Sequence, residues 1–167
     1  METGLSLGSN VGDRLANLSE ARRRIAALEA VSVVAASPVY ETEPVGVKPE
    51  HRHLKFLNAI LIVEAAGDVH DLADQLRRID DDLGRRRTLD RYAPRPVDID
   101  LVYWGAARIQ SGGLVIPHPH WAERRFVVQP LADVRPDLVL PGCAETAAGV
   151  LAKLGDEAGV RLLTRNW

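Results

Sequence analysis

Residues 83–104 read LGRRRTLDRYAPRPVDIDLVYW, and the predicted sheet is built around this segment. Pro94 and Pro96 exclude a helix, and a residue before proline is pushed towards extended backbone, so a strand is predicted from Arg95 onward. Alternation along this strand places Asp98 and Asp100 on one face, roughly 6.6 Å apart. The opposite face, which is predicted to pack on the core, carries Val97, Ile99, Leu101 and Tyr103.

The two carboxylates repel each other by roughly 2.5 kcal/mol at an effective dielectric of about 20. One interpretation is that they only mark the solvent face of a half-buried strand. Val102 and Trp104 argue against it, because they continue the same face with apolar side chains. Arginines upstream match the oxygens of a polyphosphate, which favours metal-bound phosphate chemistry. These arginines are Arg85, Arg86, Arg87, Arg91 and Arg95.

Length and charge limit the class of protein. The chain has 167 residues, one cysteine and a formal net charge of −2, so we expect a single domain over residues 1–167. Cys143 has no partner for an internal disulfide, and no apolar run suggests a membrane span or targeting segment. We therefore expect a cytoplasmic protein, and we take a monomer as the expected state. The acidic balance disfavours a nucleic-acid partner.

The first part of the chain alternates strand and helix signals. Residues 4–7 predict a strand that runs into Gly8-Ser9-Asn10, and Asp13 is predicted to cap a helix. The segment GSNVGD lacks the Lys and Ser/Thr of a P-loop, so a tight turn is the preferred interpretation. Residues 31–37 predict a second strand, and the turn-rich residues 38–48 predict a surface loop.

Residues 56–64, FLNAILIVE, give the strongest strand pattern, with Phe56, Asn58, Ile60 and Ile62 on one face. The Asn58 amide must find partners there, either in the backbone or in a ligand. Asp68 is predicted to cap a helix that ends at Gly84. Residues 84–94 show no apolar periodicity, and a charged loop of that length predicts function.

Beyond the central strand, residues 114–116 predict the return strand of a hairpin, and residues 146–154 predict a helix. His118 and His120 lack a third nearby ligand, which argues against zinc and favours a histidine near phosphates. Phe56 and Phe126 are the only phenylalanines, and either a core or a binding role fits them. The order of elements predicts an α+β sandwich around a mainly antiparallel sheet.

Six blocks of this sequence resemble, in order, those of the 6-hydroxymethyl-7,8-dihydropterin pyrophosphokinases (HPPKs) of folate biosynthesis. They are LSLGSNVGDRLANL, SPVYETEPVG, FLNAILIVE, LGRRR, APRPVDIDLVYWG and IPHPHWAERRFVVQPLADVRPDLVLP. RPVDIDL is the most specific of these signatures. The resemblance implies a ferredoxin-like α/β/α sandwich and transfer of pyrophosphate from MgATP to a reduced hydroxymethylpterin, releasing AMP. It further implies ATP as co-substrate and two Mg²⁺ ions.

The resemblance also implies the site, residue by residue. Asp98 and Asp100 would hold the metal ions, and the catalytic residues would be these two with Arg85, Arg95, Arg87 and Tyr92. The expected ATP-binding residues are Asp80, Arg85, Arg95, Leu101, His118 and Arg124. The expected pterin-binding residues are Thr42, Glu43, Pro44, Val45, Phe56, Asn58 and Phe126. Asp80 stands where the family usually has Glu, and Tyr92 where Trp is common.

Two other functions are weighed against this one. A nucleotidyltransferase also binds Mg-nucleotide with a Gly-Ser turn and an Asp-x-Asp strand, but there the two features lie close in sequence, unlike Ser9 and Asp98. A non-enzymatic RNA-binding module would use the arginines and aromatics, but the acidic pI and the carboxylate pair disfavour it.

Overall fold

The computed structural model describes residues 1–44, 48–85, 93–155 and 159–167. The first strand, β1, spans Glu2–Ser9, and helix α1 spans Arg14–Ala26. The Asp13 carboxylate accepts a hydrogen bond from the Ala16 amide at 3.1 Å, so it caps the helix as predicted. Leu18 and Ile25, on the inward face of the helix, are fully buried.

Three strands follow: β2 (Val31–Ala36), β3 (Val39–Thr42) and β4 (Phe56–Ala65). The prediction of a loop throughout residues 38–48 was wrong, because β3 occupies its first part. Aromatic and β-branched residues such as Val39, Tyr40 and Thr42 favour a strand, and β3 pairs antiparallel with β4 through Tyr40–Asn58 and Thr42–Phe56. A short 3₁₀ turn, Pro49–His51, lies between β3 and β4.

Helix α2 spans Val69–Asp82, and Asp68 caps it by accepting a hydrogen bond from the His70 amide at 2.7 Å. Gly84 has a φ of 94°, a left-handed conformation that glycine adopts without steric strain and that ends helices. Both predicted boundaries of this helix are confirmed.

Strand β5 spans Asp98–Trp104, so it begins three residues later than the predicted start at Arg95. The pairing of β5 with β1 shifts between Gly4 and Leu5, opposite Tyr103 and Leu101, which leaves Val102 as the extra residue of a bulge. The predicted faces of Tyr103 and Trp104 were therefore wrong, whereas that of Val102 is confirmed. Tyr103 packs in the same core as Val102, and Trp104 packs in the core on the other side of the sheet.

The rest of the chain forms a hairpin, two helices and an edge strand. These are β6 (Ile109–Ser111), β7 (Leu114–Ile116), α3 (Arg125–Val134), α4 (Ala147–Lys153) and β8 (Arg161–Thr164). The predicted return strand is confirmed, with β6 as its partner. The sequence did not reveal α3, which contains Pro130, a residue that is unfavourable in helix interiors.

The main sheet has the order β5-β1-β4-β3-β8, with β2 also paired to β4, and its strand pairs within the described residues are antiparallel. Helices α1 and α2 cover one face over a core that includes Leu7, Leu61 and Leu76. Helices α3 and α4 cover the other face over Ile60, Ile62 and Leu131. The predicted ferredoxin-like α/β/α sandwich is confirmed. In the part of the chain that the structure describes, no helix is both long and apolar enough to cross a membrane.

Candidate active site

One row of paired residues crosses four strands near one end of the sheet and defines the site. Asp98 on β5 pairs with Gly8 on β1, Gly8 pairs with Asn58 on β4, and Asn58 pairs with Tyr40 on β3. A Cβ at Gly8 would lie 3.4 Å from Asn58 Oδ1 and 4.0 Å from Asp98 Cβ. The missing side chain of Gly8 therefore leaves a gap between a carboxylate and an amide that face the same side of the sheet.

Two arginines bracket the Asp98 carboxylate. Arg85 contacts Oδ1 with its Nη1, and Nε of Arg95 lies 2.9 Å from Oδ2, in the geometry of an ion pair rather than a directed hydrogen bond. The side chain of Asp98 is only 14% exposed, so these contacts are shielded from bulk water. The structure thus brings together three of the predicted catalytic residues.

The turn after β1 fixes the entry to β5. The backbone amide of Arg95 donates to the side-chain Oδ1 of Asn10 at 2.8 Å. The backbone amide of Asn10 in turn donates to the backbone carbonyl of Arg95 at 3.2 Å. Asn10 is buried, so this pair of bonds locks the turn against the segment that leads to Asp98. The tight-turn interpretation of GSNVGD is confirmed, whereas sequence reasoning missed the role of Asn10, since the two residues are distant in sequence.

Asp80 forms a shielded ion pair with Arg85. Nη1 of Arg85 donates to Oδ2 of Asp80 at 2.6 Å, and Oδ1 of Asp80 is buried with no hydrogen-bond partner. Burial raises the pKa of Asp80 to about 7, against the opposing effect of the Arg85 charge. The side chain of Asp80 is 2% exposed, so the described geometry gives it contact with Arg85 rather than access to a nucleotide.

Asp100 lies two residues beyond Asp98 on the same face of β5. Desolvation, followed by the charge of Asp98, raises the pKa of Asp100 to about 6, while the charges of Arg85, Arg95 and Arg124 oppose the shift. The residue is nevertheless solvent-exposed. Asp100 is therefore open to a ligand from solvent.

The carboxylate pair fits a hard cation. Among the described residues, no group of three or more His, Cys, Asp or Glu side chains could hold a metal ion by itself. Mg²⁺ is usually bound through one or two carboxylates together with waters and substrate phosphates. Asp98 and Asp100 supply two such oxygen ligands beside cationic side chains, so they suit a metal ion that is shared with a polyphosphate.

The amide side of the row is preorganised. Nδ2 of Asn58 donates to Oγ1 of Thr42 at 2.8 Å, within the buried part of the sheet. This bond orients the amide and leaves one N–H and the carbonyl oxygen of the side chain for other partners. Glu43, in contrast, is exposed and pairs with Lys55 at 2.8 Å, and Pro44 is half-buried.

Each phenylalanine has an arginine next to its ring. The guanidinium carbon of Arg95 lies 5.8 Å from the centroid of Phe56, and that of Arg124 lies 5.8 Å from the centroid of Phe126. Both rings are half-buried, and Phe126 packs against the second core at the start of α3. Because both rings are partly exposed beside a cation, a role in binding a flat aromatic ligand fits them better than a role in the closed core.

His118 approaches the carboxylate strand from the hairpin side. Its amide donates to the Val102 carbonyl at 2.8 Å, and its Nδ1 accepts from the His120 amide at 3.2 Å. Burial, followed by the charge of Arg124, lowers the pKa of His118 to about 4. The ring is therefore neutral near pH 7, with its hydrogen on Nε2.

The remaining predicted residues divide into two groups. Leu101 is 7% exposed and packs in the core beneath α1 and α2, so its side chain lies on the sheet face opposite Asp98 and Asp100. Val45, Arg87 and Tyr92, together with Arg86 and Arg91, lie outside the described residues. Their predicted roles stay predictions.

The fold is similar to that of solved HPPK-DHPS structures. Wild-type HPPK-DHPS of Plasmodium falciparum with pteroate superposes with a TM-score of 0.71 at 14% sequence identity, over 91% of this chain and 42% of that one. At this identity the likeness shows the fold, which is that of an α+β sandwich.

Sequence relatives show the family. A family model described as 7,8-dihydro-6-hydroxymethylpterin-pyrophosphokinase (HPPK) matches residues 4–136. A 2-amino-4-hydroxy-6-hydroxymethyldihydropteridine pyrophosphokinase of Methylorubrum extorquens is 40% identical, over 93% of this chain and 94% of that protein. A Bacillus subtilis protein of the same name is 32% identical, over 95% and 87%. The chain belongs to the HPPK family, which confirms the resemblance seen in the sequence.

Some relatives are much longer. The folate synthesis bifunctional protein of Arabidopsis thaliana is 41% identical over 80% of this chain, and the match spans 27% of that protein. This chain therefore corresponds to about a quarter of the bifunctional relative and to nearly the whole of the Methylorubrum protein. The family's reaction is the transfer of pyrophosphate from ATP to hydroxymethyldihydropterin in folate synthesis.

Proposed function

We propose that this chain transfers pyrophosphate from MgATP to the hydroxymethyl group of 6-hydroxymethyl-7,8-dihydropterin and releases AMP. The observation that carries the proposal is the row Asp98, Gly8 and Asn58. It sets a phosphate-side carboxylate and a pterin-side amide two strands apart on one sheet face, roughly 9.6 Å between their backbones. Membership of the HPPK family supplies the reaction class.

On the nucleotide side, Asp98 and Asp100 would hold Mg²⁺, and the resemblance implies two ions. Bound there, the metal would neutralise phosphate charge and favour loss of the hydroxyl proton. Arg85 and Arg95 already lie against Asp98, so their guanidinium groups are positioned to bind oxygens of the transferred group. Charge that develops on those oxygens is then stabilised by donors that are in place before the reaction.

His118 would bind phosphate as a neutral donor. Its Nδ1 is engaged by the His120 amide, which leaves the Nε2 hydrogen to donate to a phosphate oxygen. The pKa of His118 is lowered to about 4, so this contact does not change protonation between about pH 5 and pH 8. Arg124 adds positive charge nearby.

On the pterin side, Asn58 would hydrogen-bond the edge of the ring while Phe56 and Phe126 stack on its faces. Thr42 fixes the orientation of the Asn58 amide, so donor and acceptor are presented in a defined order. A gap at Gly8 lets the hydroxymethyl end extend from Asn58 towards Asp98. This path would connect the two substrates across β1, near the end of that strand.

We also propose that the chain acts as a monomeric, single-domain, cytoplasmic enzyme on these two small molecules, without a nucleic-acid or membrane partner. The two cores share one sheet, which supports one cooperative domain. The formal net charge of −2 gives no overall positive field for nucleic acid or anionic lipid.

The test is the identity of the nucleotide product. Purified protein, MgATP and the hydroxymethyldihydropterin should give AMP and pterin diphosphate one-for-one, because attack occurs at the β-phosphorus. Omission of the pterin is the control and should abolish AMP formation. ADP as the main product would indicate simple kinase chemistry, and pyrophosphate would indicate a nucleotidyltransferase. Either result, or AMP release that ignores the pterin, contradicts the proposal.

A further inference from the structure

Tyr40 is the next residue in the row that defines the site. It pairs directly with Asn58 across β3 and β4, so the two side chains lie on the same face of the sheet. Its hydroxyl donates to Oδ2 of Asp133, on α3, at 2.6 Å. Neither the resemblance nor the composition of the site gave Tyr40 a role, although it links the sheet to the helix that carries Phe126.

Asp133 lies on the same face of α3 as Phe126. Positions 126, 129 and 133 are spaced by three and four residues, which aligns them along one stripe of a helix. Nε2 of Gln129 donates to Oδ1 of Asp133 at 3.3 Å, so both carboxylate oxygens are engaged. Asp133 therefore anchors one end of this row of side chains. Phe126 lies at the other end, about 10 Å away along the helix axis.

The first turn of α3 is anchored by Arg125, whose Nη1 donates to the carbonyls of Leu154 and Gly155, just after α4, at 2.9 and 2.8 Å. Its N-cap residue, Arg124, makes no side-chain capping hydrogen bond. Pro130 lies inside the helix and has no N–H to donate to the carbonyl four residues before it, that of Phe126. The placement of Phe126 thus depends also on how the rest of α3 is held against the sheet.

Arg135, directly after the C-terminal end of α3, makes a second connection between this helix and the sheet. Nε and Nη2 of Arg135 donate to Oε2 of Glu2 at 3.0 and 2.8 Å, and Tyr103 donates to Oε1 of Glu2 at 2.8 Å. That cluster joins β1 and β5, far along the sheet from Asn58. Both connections include a hydrogen bond from a tyrosine hydroxyl to a carboxylate, Tyr40 to Asp133 and Tyr103 to Glu2. The second of these bonds lies far from Asn58.

We propose that Tyr40 and Asp133 set the spacing between the sheet and α3, and so position Phe126 opposite the Asn58 side of the pterin site. Tyr40 is then a positioning residue that does not itself touch the reacting atoms. This inference rests on the proposed pterin pyrophosphokinase function. The hydroxyl stays a donor at all working pH values, since burial and then Asp133 raise the pKa of Tyr40 to about 12.

The test uses Tyr40→Phe, which removes the hydroxyl and keeps the ring. The KM for the pterin should rise roughly 5-fold or more, in line with the loss of a hydrogen bond to a charged group at a half-exposed position. The KM for ATP should stay within about 2-fold, because Tyr40 is remote from Asp98 in the row. The matched control is Tyr103→Phe, which removes the equivalent bond to Glu2 and should lower Tm without changing the KM for the pterin.

Asp133 provides an independent arm. Asp133→Asn retains an oxygen that can accept from Tyr40 and should keep the KM for the pterin near that of the wild type. Asp133→Ala should raise it as Tyr40→Phe does, and the double variant Tyr40→Phe/Asp133→Ala should be no worse than either single variant. The Asp133 pair carries the test even if Tyr40→Phe folds poorly.

The outcomes separate this inference from the proposed function. Absence of pterin-dependent AMP from the wild type would refute the function itself. An active wild type whose KM for the pterin is unchanged in Tyr40→Phe and Asp133→Ala would refute the inference alone. Equal increases in both KM values, with the same change in Tyr103→Phe, would show a general structural role and would also overturn it.

Discussion

Replacement of glycine by alanine should have different consequences at two positions of β1: lower stability at Gly4 and weaker pterin binding at Gly8. Gly4 and Gly8 lie on one face of one strand, so a change of either to alanine alters intrinsic strand propensity equally. A Cβ at Gly4 would lie 2.2 Å from Cε1 and 2.6 Å from Cδ1 of Tyr103. Tyr103 is 1% exposed and cannot swing into solvent. Gly4→Ala should therefore destabilise the fold.

The size of the effect follows from two contributions. Overpacking of a core costs about 1–3 kcal/mol. Displacement of the Tyr103 ring also strains or breaks its hydrogen bond to Glu2, and a bond to a charged group contributes about 1.5–3 kcal/mol. The free energy of unfolding should fall by roughly 2–6 kcal/mol in total. For a domain of this size, that corresponds to a loss in Tm of roughly 5–20 °C.

Gly8→Ala should leave stability within about 1 kcal/mol of the wild type, since the new Cβ meets Asn58 Oδ1 at 3.4 Å and Asp98 Cβ at 4.0 Å. The methyl group would, however, fill the gap between the amide and the carboxylate. We expect the KM for the pterin to rise by about 10-fold or more, equivalent to about 1.4 kcal/mol, with the KM for ATP little changed.

Thermal unfolding followed by circular dichroism and steady-state kinetics with each substrate would test the pair. A Tm for Gly4→Ala within about 2 °C of the wild type would refute the packing argument. Unchanged pterin kinetics in a folded Gly8→Ala variant would refute the path proposed between Asn58 and Asp98.

Two further predictions concern the acidic residues. Asp100→Asn should reduce kcat by at least about 100-fold through lost charge stabilisation while Tm stays near that of the wild type, because the side chain is exposed; near-normal turnover with MgATP would contradict its role. Asp80 has a folded-state pKa raised to about 7 from 3.8, so the native state holds this proton to higher pH than the unfolded chain, and stability should fall as pH rises from about 4 to about 7. Between pH 5 and pH 8, the free energy of unfolding measured with urea should fall by up to about 3 kcal/mol more in the wild type than in Asp80→Asn. Equal losses in both proteins would show that Asp80 is not the group responsible.

Local signals in the sequence determined much of this fold. The caps at Asp13 and Asp68 and the stop at Gly84 depend on residues within one helical turn, so they could be identified without the structure. The apolar alternation of β4 likewise predicted which side chains face each core. The RPVDIDL signature identified the family and the carboxylate pair.

Other features depend on partners far away in the chain. The β5 bulge at Val102 reverses the faces of Tyr103 and Trp104, and it arises from the pairing with β1. Strand β3 forms from a turn-rich segment because β4 and β8 flank it. Helix α3 forms despite Pro130 because Val127, Val128 and Leu131 are buried against the second core.

The site itself divides in the same way. The residue types that carry the chemistry could be read from the chain alone: the carboxylates Asp98 and Asp100, the arginines and the amide of Asn58. The positions of Gly8 between Asn58 and Asp98, of Asp80 buried beside Arg85, and of Tyr40 between the sheet and α3 became visible with the folded chain. Caps, turns and alternation are set by neighbours along the chain, whereas strand register and helix docking are set by contacts between segments tens of residues apart.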